Sequence, residues 1–247
     1  MTIASSNYRP LNNHQLTILN TLYKFRFLTA SLLAKNQSAN NVRVISNRLK
    51  LLVDQEYLAM NYDSSYRIAG KPATYYLTTK AIRYLRNKPY TNESALRSIY
   101  HDKRASATQI AHRLAVFDAY IELKIAYKDR FKFFSNSELT SKPYVPRDRP
   151  DAYIVDSQTS KSYFLEYLRD DMNYWTLKKA IKRYVSFAET DTWQKYKDSP
   201  FPDVLLLCES SKLAYRAKRM AEGELDSSYV DIKFKTASTM EDLFSDL

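Results

Sequence analysis

Glycine is nearly missing from this chain: Gly70 and Gly223 are the only two among 247 residues. Walker loops and GxGxxG turns each need several glycines within a few residues, so the sequence excludes the nucleotide enzymes built on them. Cys208 is the single cysteine, which leaves no disulfide framework and no Cys/His zinc spacing. The longest apolar run, Val204 to Cys208, is too short to span a membrane. Without a signal-peptide pattern after Met1, we expect a cytoplasmic protein that does not bind membranes.

The positive charge of the chain is concentrated at one end. Residues 1–100 contain 14 Lys and Arg against 4 Asp and Glu, whereas residues 101–247 contain 24 against 23. This asymmetry is typical of a polyanion-binding module joined to a nearly neutral body. Nucleic acid is the simplest partner for such a module, and an anionic membrane surface is the weaker alternative.

Apolar spacing predicts three helices followed by a two-stranded ribbon in the first part of the chain. The predicted elements are a helix over 14–26, a short helix capped by Thr29, a helix over 41–56, strands over 57–62 and 73–78, and a helix over 79–86. A turn-forming tip with two cations, Arg67 and Lys71, separates the strands. This order is that of a winged helix-turn-helix domain, which we assign to residues 1–88.

The third predicted helix has two different faces. The apolar stripe that would dock on the first two helices consists of Val42, Ile45, Leu49 and Leu52. The polar stripe, which would face outward, consists of Arg43, Asn47 and Lys50. In a major groove Arg and Asn can form paired hydrogen bonds to base edges, while cations of the wing would meet phosphates. The pattern favours binding of double-stranded DNA, although solvated basic faces and protein-binding winged helices have the same pattern.

The rest of the chain predicts a linker over 89–104 and a second domain over 105–247. The predicted order is αβββαβαβ, a mixed sheet covered by helices, so the fold class is α+β. The elements are a helix over 105–127, strands over 131–135, 151–156 and 162–168, a helix over 174–189, a strand over 202–208, a helix over 211–222 and a strand over 230–235. The apolar face of the long helix carries Ile110, Leu114, Phe117, Ile121 and Ile125.

Two carboxylates in this second domain carry the strongest chemical signal. Asp151 opens one strand, and Glu166 lies on an apolar face of the next, where a carboxylate needs a compensating partner. With Asp118 or Glu122 of the long helix they would suit Mg²⁺, which could activate water against a phosphodiester. The alternative is structural: Asp151 caps a turn and Glu166 pairs with a helix lysine.

The spacing of Asp151 and Glu166 resembles the core of PD-(D/E)xK nucleases, with one departure. Leu168 stands where that motif has its lysine. Lys178 and Lys182, one turn apart on the following helix, could replace that lysine.

Two further features have both a functional and a structural interpretation. The basic stripe Lys178, Lys179, Lys182 and Arg183 would extend a DNA surface or be solvated, and Tyr163, Tyr167, Tyr174 and Tyr184 would stack on single-stranded bases or pack in the core.

A series of short motifs, in order, resembles the replication-relaxation family. They are Phe25-Arg26-Phe27-Leu28-Thr29, Asn47-Arg48-Leu49-Lys50-Leu51-Leu52-Val53, Tyr75-Tyr76-Leu77-Thr78, His112-Arg113-Leu114-Ala115-Val116, Pro150-Asp151, Phe164-Leu165-Glu166 and Lys182-Arg183-Tyr184. The resemblance implies a winged helix joined to a restriction-endonuclease-like body. It also implies a DNA-binding accessory protein of a plasmid or integrative element, acting in replication, DNA relaxation or conjugative mobilisation. Family members often carry an acidic residue two positions after the strand glutamate, and Leu168 departs from this too.

The sequence therefore leads to one main hypothesis and two alternatives. The main hypothesis is a non-catalytic, cofactor-free protein that binds double-stranded DNA and assists a relaxase or replication protein in a relaxosome. The first alternative is a Mg²⁺-dependent nuclease or nicking enzyme that uses Asp151 and Glu166. The second is a winged-helix transcriptional repressor. The sequence leaves a homodimer open, and a palindromic footprint would indicate one.

Overall fold

The protein has a mixed α+β fold, in agreement with the predicted fold class. The computed structural model describes residues 10–62, 68 and 70–245. The helices are α1 (Asn13–Phe25), α2 (Ala30–Asn36), α3 (Val42–Asp54), α4 (Thr79–Arg86), α5 (Glu93–Ile99), α6 (Ala107–Tyr127), α7 (Tyr174–Ala188), α8 (Thr192–Tyr196), α9 (Ser211–Asp226) and α10 (Met240–Leu243). The strands are β1 (Leu58–Asn61), β2 (Thr74–Leu77), β3 (Phe131–Ser135), β4 (Ala152–Asp156), β5 (Ser162–Leu168), β6 (Asp203–Cys208) and β7 (Phe234–Ala237).

The first three helices begin where polar side chains satisfy their free backbone N–H groups. Asn12, Thr29 and Asn41 each accept a hydrogen bond from the first turn of α1, α2 and α3, respectively. The ribbon of β1 and β2 is antiparallel, with Leu58 opposite Leu77 and Asn61 opposite Thr74. The order of three helices and a ribbon is therefore as predicted.

The segment predicted as a linker, residues 89–104, contains regular structure. It contains α5, which Asn92 caps and which buries Ala95, Leu96 and Ile99. Arg26, at the end of α1, donates hydrogen bonds to both carboxylate oxygens of Asp102 and to the backbone carbonyl of Ser98. The prediction missed this helix because its three apolar residues lie within a mostly polar stretch of sequence.

The second sheet has the strand order β3-β4-β5-β6-β7. Pairing is antiparallel from β3 to β5 and parallel from β5 to β7, so the chain crosses over through α7 and α9 between the parallel strands. The predicted order αβββαβαβ is present, with the short helices α8 and α10 in addition. The last strand is Phe234–Ala237 rather than 230–235: residues 230–233 form no strand, although Ile232 is buried in the core.

One hydrophobic core joins the N-terminal helices to the sheet. It runs from Ile18 of α1 through Phe117 of α6 and Leu165 of β5 to Leu243 of α10. At its centre the Phe25 ring lies 4.6 Å from Phe117 and 4.9 Å from Tyr120, measured between ring centroids. A second core fills the other face of the sheet, beneath α7 and α9.

Two residues of the predicted apolar stripes are exposed. Val42 lies in the first turn of α3 and is 45% exposed, whereas Ile45, Leu49 and Leu52 are fully buried. Ile125 lies near the end of α6 and is 59% exposed. Both predictions were wrong for the same reason: the terminal turn of a helix extends beyond the surface on which its central turns pack.

Candidate functional site

The outward face of α3 presents the predicted polar stripe. Arg43, Asn47 and Lys50 are all exposed, on the side of the helix opposite buried Ile45 and Leu49. Within the described residues, no acidic side chain pairs with either cation. The stripe is therefore a free set of hydrogen-bond donors along about two turns of helix.

Two apolar side chains that sequence reasoning missed flank this stripe. Val44 and Leu51, seven residues apart on α3, are 44% and 47% exposed. Apolar groups on a groove-reading helix can contact the methyl group of thymine. A helical wheel could have identified them, because both lie off the buried stripe that contains Ile45 and Leu52.

The tip of the ribbon is described only in part. Lys71 is exposed and follows Gly70, whose φ of +61° is a left-handed conformation that glycine adopts without strain. Arg67, the other cation predicted to contact DNA from the tip, lies outside the described residues.

Asp151 is buried and bound on both carboxylate oxygens. Its Oδ1 lies 2.7 Å from Nε2 of His112 and 3.9 Å from a guanidinium nitrogen of Arg113, both on α6. Its Oδ2 accepts the backbone N–H of Tyr167 at 2.9 Å. Burial alone would raise the pKa of Asp151, but His112, Arg113 and the Tyr167 N–H together hold the pKa below its ordinary value. His112 is partly buried, which by itself would lower its pKa, but Asp151 outweighs this effect and the pKa lies above its ordinary value.

Glu166 is buried on the other face of β5, against α7. Its Oε2 accepts hydrogen bonds from the guanidinium of Arg183 and from the hydroxyl of Tyr184, the latter at 3.0 Å. Arg183 also donates to the Tyr184 hydroxyl. Burial raises the pKa of Glu166 to about 7, and the positive charge of Arg183 only partly offsets this effect. The partner that compensates Glu166 is thus an arginine, which sequence reasoning had placed in a surface stripe.

The two lysines proposed to replace the missing motif lysine do not contact Glu166. Lys178 pairs with Glu224 of α9, with 3.2 Å between Nζ and Oε1. Lys182 is exposed. Neither forms a hydrogen bond or ion pair with Glu166, whose cationic partner is Arg183.

Asp118 and Glu122 of α6, the other two proposed metal ligands, line a different groove with Tyr167 and Glu209. Asp118 pairs with Lys35 of α2 at 2.6 Å. Across the part of the chain that the structure describes, no three His, Cys, Asp or Glu side chains are grouped so that they could hold a metal ion. The four predicted carboxylates therefore do not form one site.

The tyrosines considered as stacking platforms divide by burial. Tyr163 and Tyr184 are buried in the two cores and cannot meet a base, and Tyr167 is partly buried beside His112. Tyr174 is exposed at the start of α7.

The profile of the replication-relaxation family matches residues 19–204, about three quarters of the chain. The chain belongs to the replication-relaxation family. No curated protein and no solved structure matches it. The matched stretch of this replication-relaxation protein includes α3, the ribbon, Asp151, Glu166 and all of α7, and it ends within β6.

Membership in the replication-relaxation family indicates a role in the replication or relaxation of plasmid or other mobile-element DNA. Among the described residues, no helix is both long enough and apolar enough to cross a membrane.

Proposed function

We propose that this protein is a DNA-binding accessory factor of a plasmid or integrative element, acting in replication, DNA relaxation or conjugative mobilisation. In this proposal the segment from α1 to β2 is a winged helix-turn-helix, and α3 enters the major groove of double-stranded DNA. A relaxase or a replication protein is the expected protein partner, bound through the C-terminal body.

The exposed stripe of α3 carries the proposal. Arg43, Asn47 and Lys50 stand on the face opposite the buried residues of α3, where docking on α2 and β1 leaves them free to reach base edges and phosphates. Arginine and asparagine are the side chains best suited to paired hydrogen bonds with guanine and adenine. The excess of Lys and Arg in residues 1–100 supplies the long-range attraction to a polyanion.

The environment of the buried carboxylates favours a non-catalytic body. Mg²⁺ binds through carboxylate oxygens, but here His112 and the Tyr167 N–H contact the two oxygens of Asp151, and Arg183 and Tyr184 both contact Oε2 of Glu166. These residues do not fit a metal site as they are arranged, and we derive no catalytic step from them. The proposed role of this body is to hold the DNA-binding segment and to present a surface to a partner protein.

The test is a binding assay with labelled duplex fragments tiled across the protein's own element. We expect one or a few fragments to bind, and the double variant R43A/K50A to bind them at least about tenfold more weakly, because base and phosphate contacts are both lost. The matched control is K212A/K218A, which removes the same charge from exposed positions of α9. Equal affinity of the two double variants would reject α3 as the recognition helix.

The same fragments test the electrostatic part of the proposal. If about six phosphates are neutralised, the logarithm of the binding constant should fall with the logarithm of salt concentration with a slope of about −5. A flat salt response would contradict binding through the basic N-terminal segment. A footprint would then separate the accessory role from repression: sites confined to the protein's own promoter would favour a repressor.

A further inference from the structure

The outer face of α7 combines an exposed tryptophan with lysines. Trp175 is 74% exposed, whereas Trp193, the other tryptophan of the chain, is fully buried. Trp175, Lys179 and Lys182 are spaced at i, i+4 and i+7, so they lie along one side of the helix. The opposite side of α7 packs Leu177 and Ile181 into the second core. The aromatic ring is therefore not a core residue.

No acidic residue occurs in α7 to balance its cations. Its 15 residues contain Lys178, Lys179, Lys182 and Arg183 but neither Asp nor Glu. Glu224 of α9 balances Lys178 and Glu166 of β5 balances Arg183, which leaves Lys179 and Lys182. Lys179 meets Asp148 only at 3.7 Å with both side chains largely exposed, a contact of little energy. Lys182 has no partner among the described residues.

The surface beside these side chains is concave. Two depressions of about 460 and 480 Å³ adjoin each other, since Arg183 and Ser186 line both. The first extends to Trp175 and the second to Arg147, in the loop before β4. Together they form a shallow groove along α7, lined by five cations and one acidic residue, Asp148, with an aromatic ring at one end.

We propose that this groove binds single-stranded DNA, with a base stacked on Trp175 and the backbone phosphates on Lys179 and Lys182. Nucleic-acid strands without base pairs are held by basic grooves that also offer aromatic rings, because every unpaired base has a face to stack. The bases of a duplex are already stacked, so double-stranded DNA would leave Trp175 unused. This site is separate from the α3 stripe: α7 covers the second core, whereas α3 packs into the first.

An anionic membrane surface would also attract tryptophan and lysine on one helix face, so it is the main rival occupant. The groove favours a strand over a lipid surface for a geometric reason. A helix that lies on a bilayer presents a convex face, whereas here Pro146, Arg147 and Asp148 of the loop before β4 line a shallow depression together with residues of α7.

The experiment measures binding of the full chain to a labelled oligothymidylate of about 20 nucleotides, which cannot form a duplex with itself. We expect W175A to bind at least about fivefold more weakly than the wild type, and W175F to retain most of the affinity because phenylalanine still stacks. The logarithm of the binding constant should fall with the logarithm of salt concentration, and K179A/K182A should make this slope shallower by about 1.4. K212A/K218A should leave the slope unchanged. Trp175 is exposed, so thermal unfolding of W175A should match that of the wild type.

Tryptophan fluorescence supplies an independent measurement. Oligothymidylate should quench the wild-type emission, and W175F, in which only buried Trp193 remains, should show no quenching. The R43A/K50A variant should keep its affinity for oligothymidylate while it loses duplex binding, so failure of the α3 proposal can be told from failure of this one. Undiminished oligothymidylate binding by W175A would overturn the α7 site. Binding to phosphatidylserine vesicles without binding to oligothymidylate would also overturn it, in favour of a lipid surface.

Discussion

His112 of α6 and Asp151 at the start of β4 lie 2.7 Å apart, measured from Nε2 to Oδ1. They connect the long helix to the sheet at the point where the nuclease-like motif has its first carboxylate. The neighbouring Arg113 adds a second cation 3.9 Å from the same oxygen. The carboxylate of Asp151 therefore forms charged contacts with α6 that connect this helix to β4.

Removing this contact should destabilise the protein in a pH-dependent way. We expect D151N to lower the free energy of unfolding by on the order of 3 kcal/mol at pH 6, because the partly buried His112 loses its counter-charge. The pKa of His112 is raised in the fold, so this stabilisation is complete below about 6.5 and is lost as pH rises through the folded value. Urea unfolding at pH 6 and pH 9 measures the difference. D129N, at an exposed aspartate, is the control, and an equal cost of D151N at both pH values would contradict the prediction.

Glu166 should make the wild type less stable as pH rises. Its pKa is raised to about 7 in the fold, so the native state binds a proton more tightly than the unfolded chain, and this stability is present below about 4.5 and lost toward pH 7. The loss is on the order of 3 kcal/mol at most. E166Q mimics the protonated form, so its stability relative to the wild type should increase between pH 5 and pH 8.

Urea titrations of the Glu166 variant at several pH values provide the measurement. E222Q, at an exposed glutamate of α9, serves as the control and should follow the wild type. The prediction is wrong if the difference between E166Q and the wild type does not change over this range.

Phe25 should couple the N-terminal helices to the sheet. Its ring contacts Phe117 and Tyr120 of α6 and lies 6.0 Å from Phe133 of β3. We expect F25A to cost about 3–5 kcal/mol, because it leaves a cavity in the shared core. Both tryptophans lie in the C-terminal part, so circular dichroism and tryptophan fluorescence should report coincident unfolding in the wild type but separate transitions in F25A. F134A, at a half-exposed ring on the other face of β3, should keep the transitions coincident.

Supercoiled DNA of the protein's own element should remain intact when it is incubated with the protein and Mg²⁺ or Mn²⁺. The physical reason is that Arg183 contacts Oε2 of Glu166 and His112 contacts Oδ1 of Asp151, so positively charged side chains already stand where a metal cation would have to bind. A gel that resolves supercoiled, nicked and linear forms is the measurement, with E166A alongside. Metal-dependent nicking by the wild type that disappears in E166A would establish the nuclease alternative despite Leu168.

The parts of the fold that the sequence predicted well are those with a strong local signal. The bounds of α4, β3 and β5 agree with the predicted ranges, because each combines apolar periodicity with polar residues at its ends. By contrast α5 lacked such a signal: only its packing against α4 and the hydrogen bonds that Ser98 accepts from Arg26 show why seven residues within a polar segment become a helix.

The candidate site divides in the same way. Exposure of Arg43, Asn47 and Lys50 follows from helix geometry and the apolar stripe alone, so the sequence by itself determined which face of α3 is available. The sequence did not predict which cation pairs with Glu166. Lys178, Lys182 and Arg183 all lie on the helix that follows β5, and any of them could have faced that strand. Only the packing of α7 on the sheet decided that Arg183 points to the buried carboxylate while Lys182 faces solvent, since the angle between a helix and a sheet depends on contacts distant in sequence.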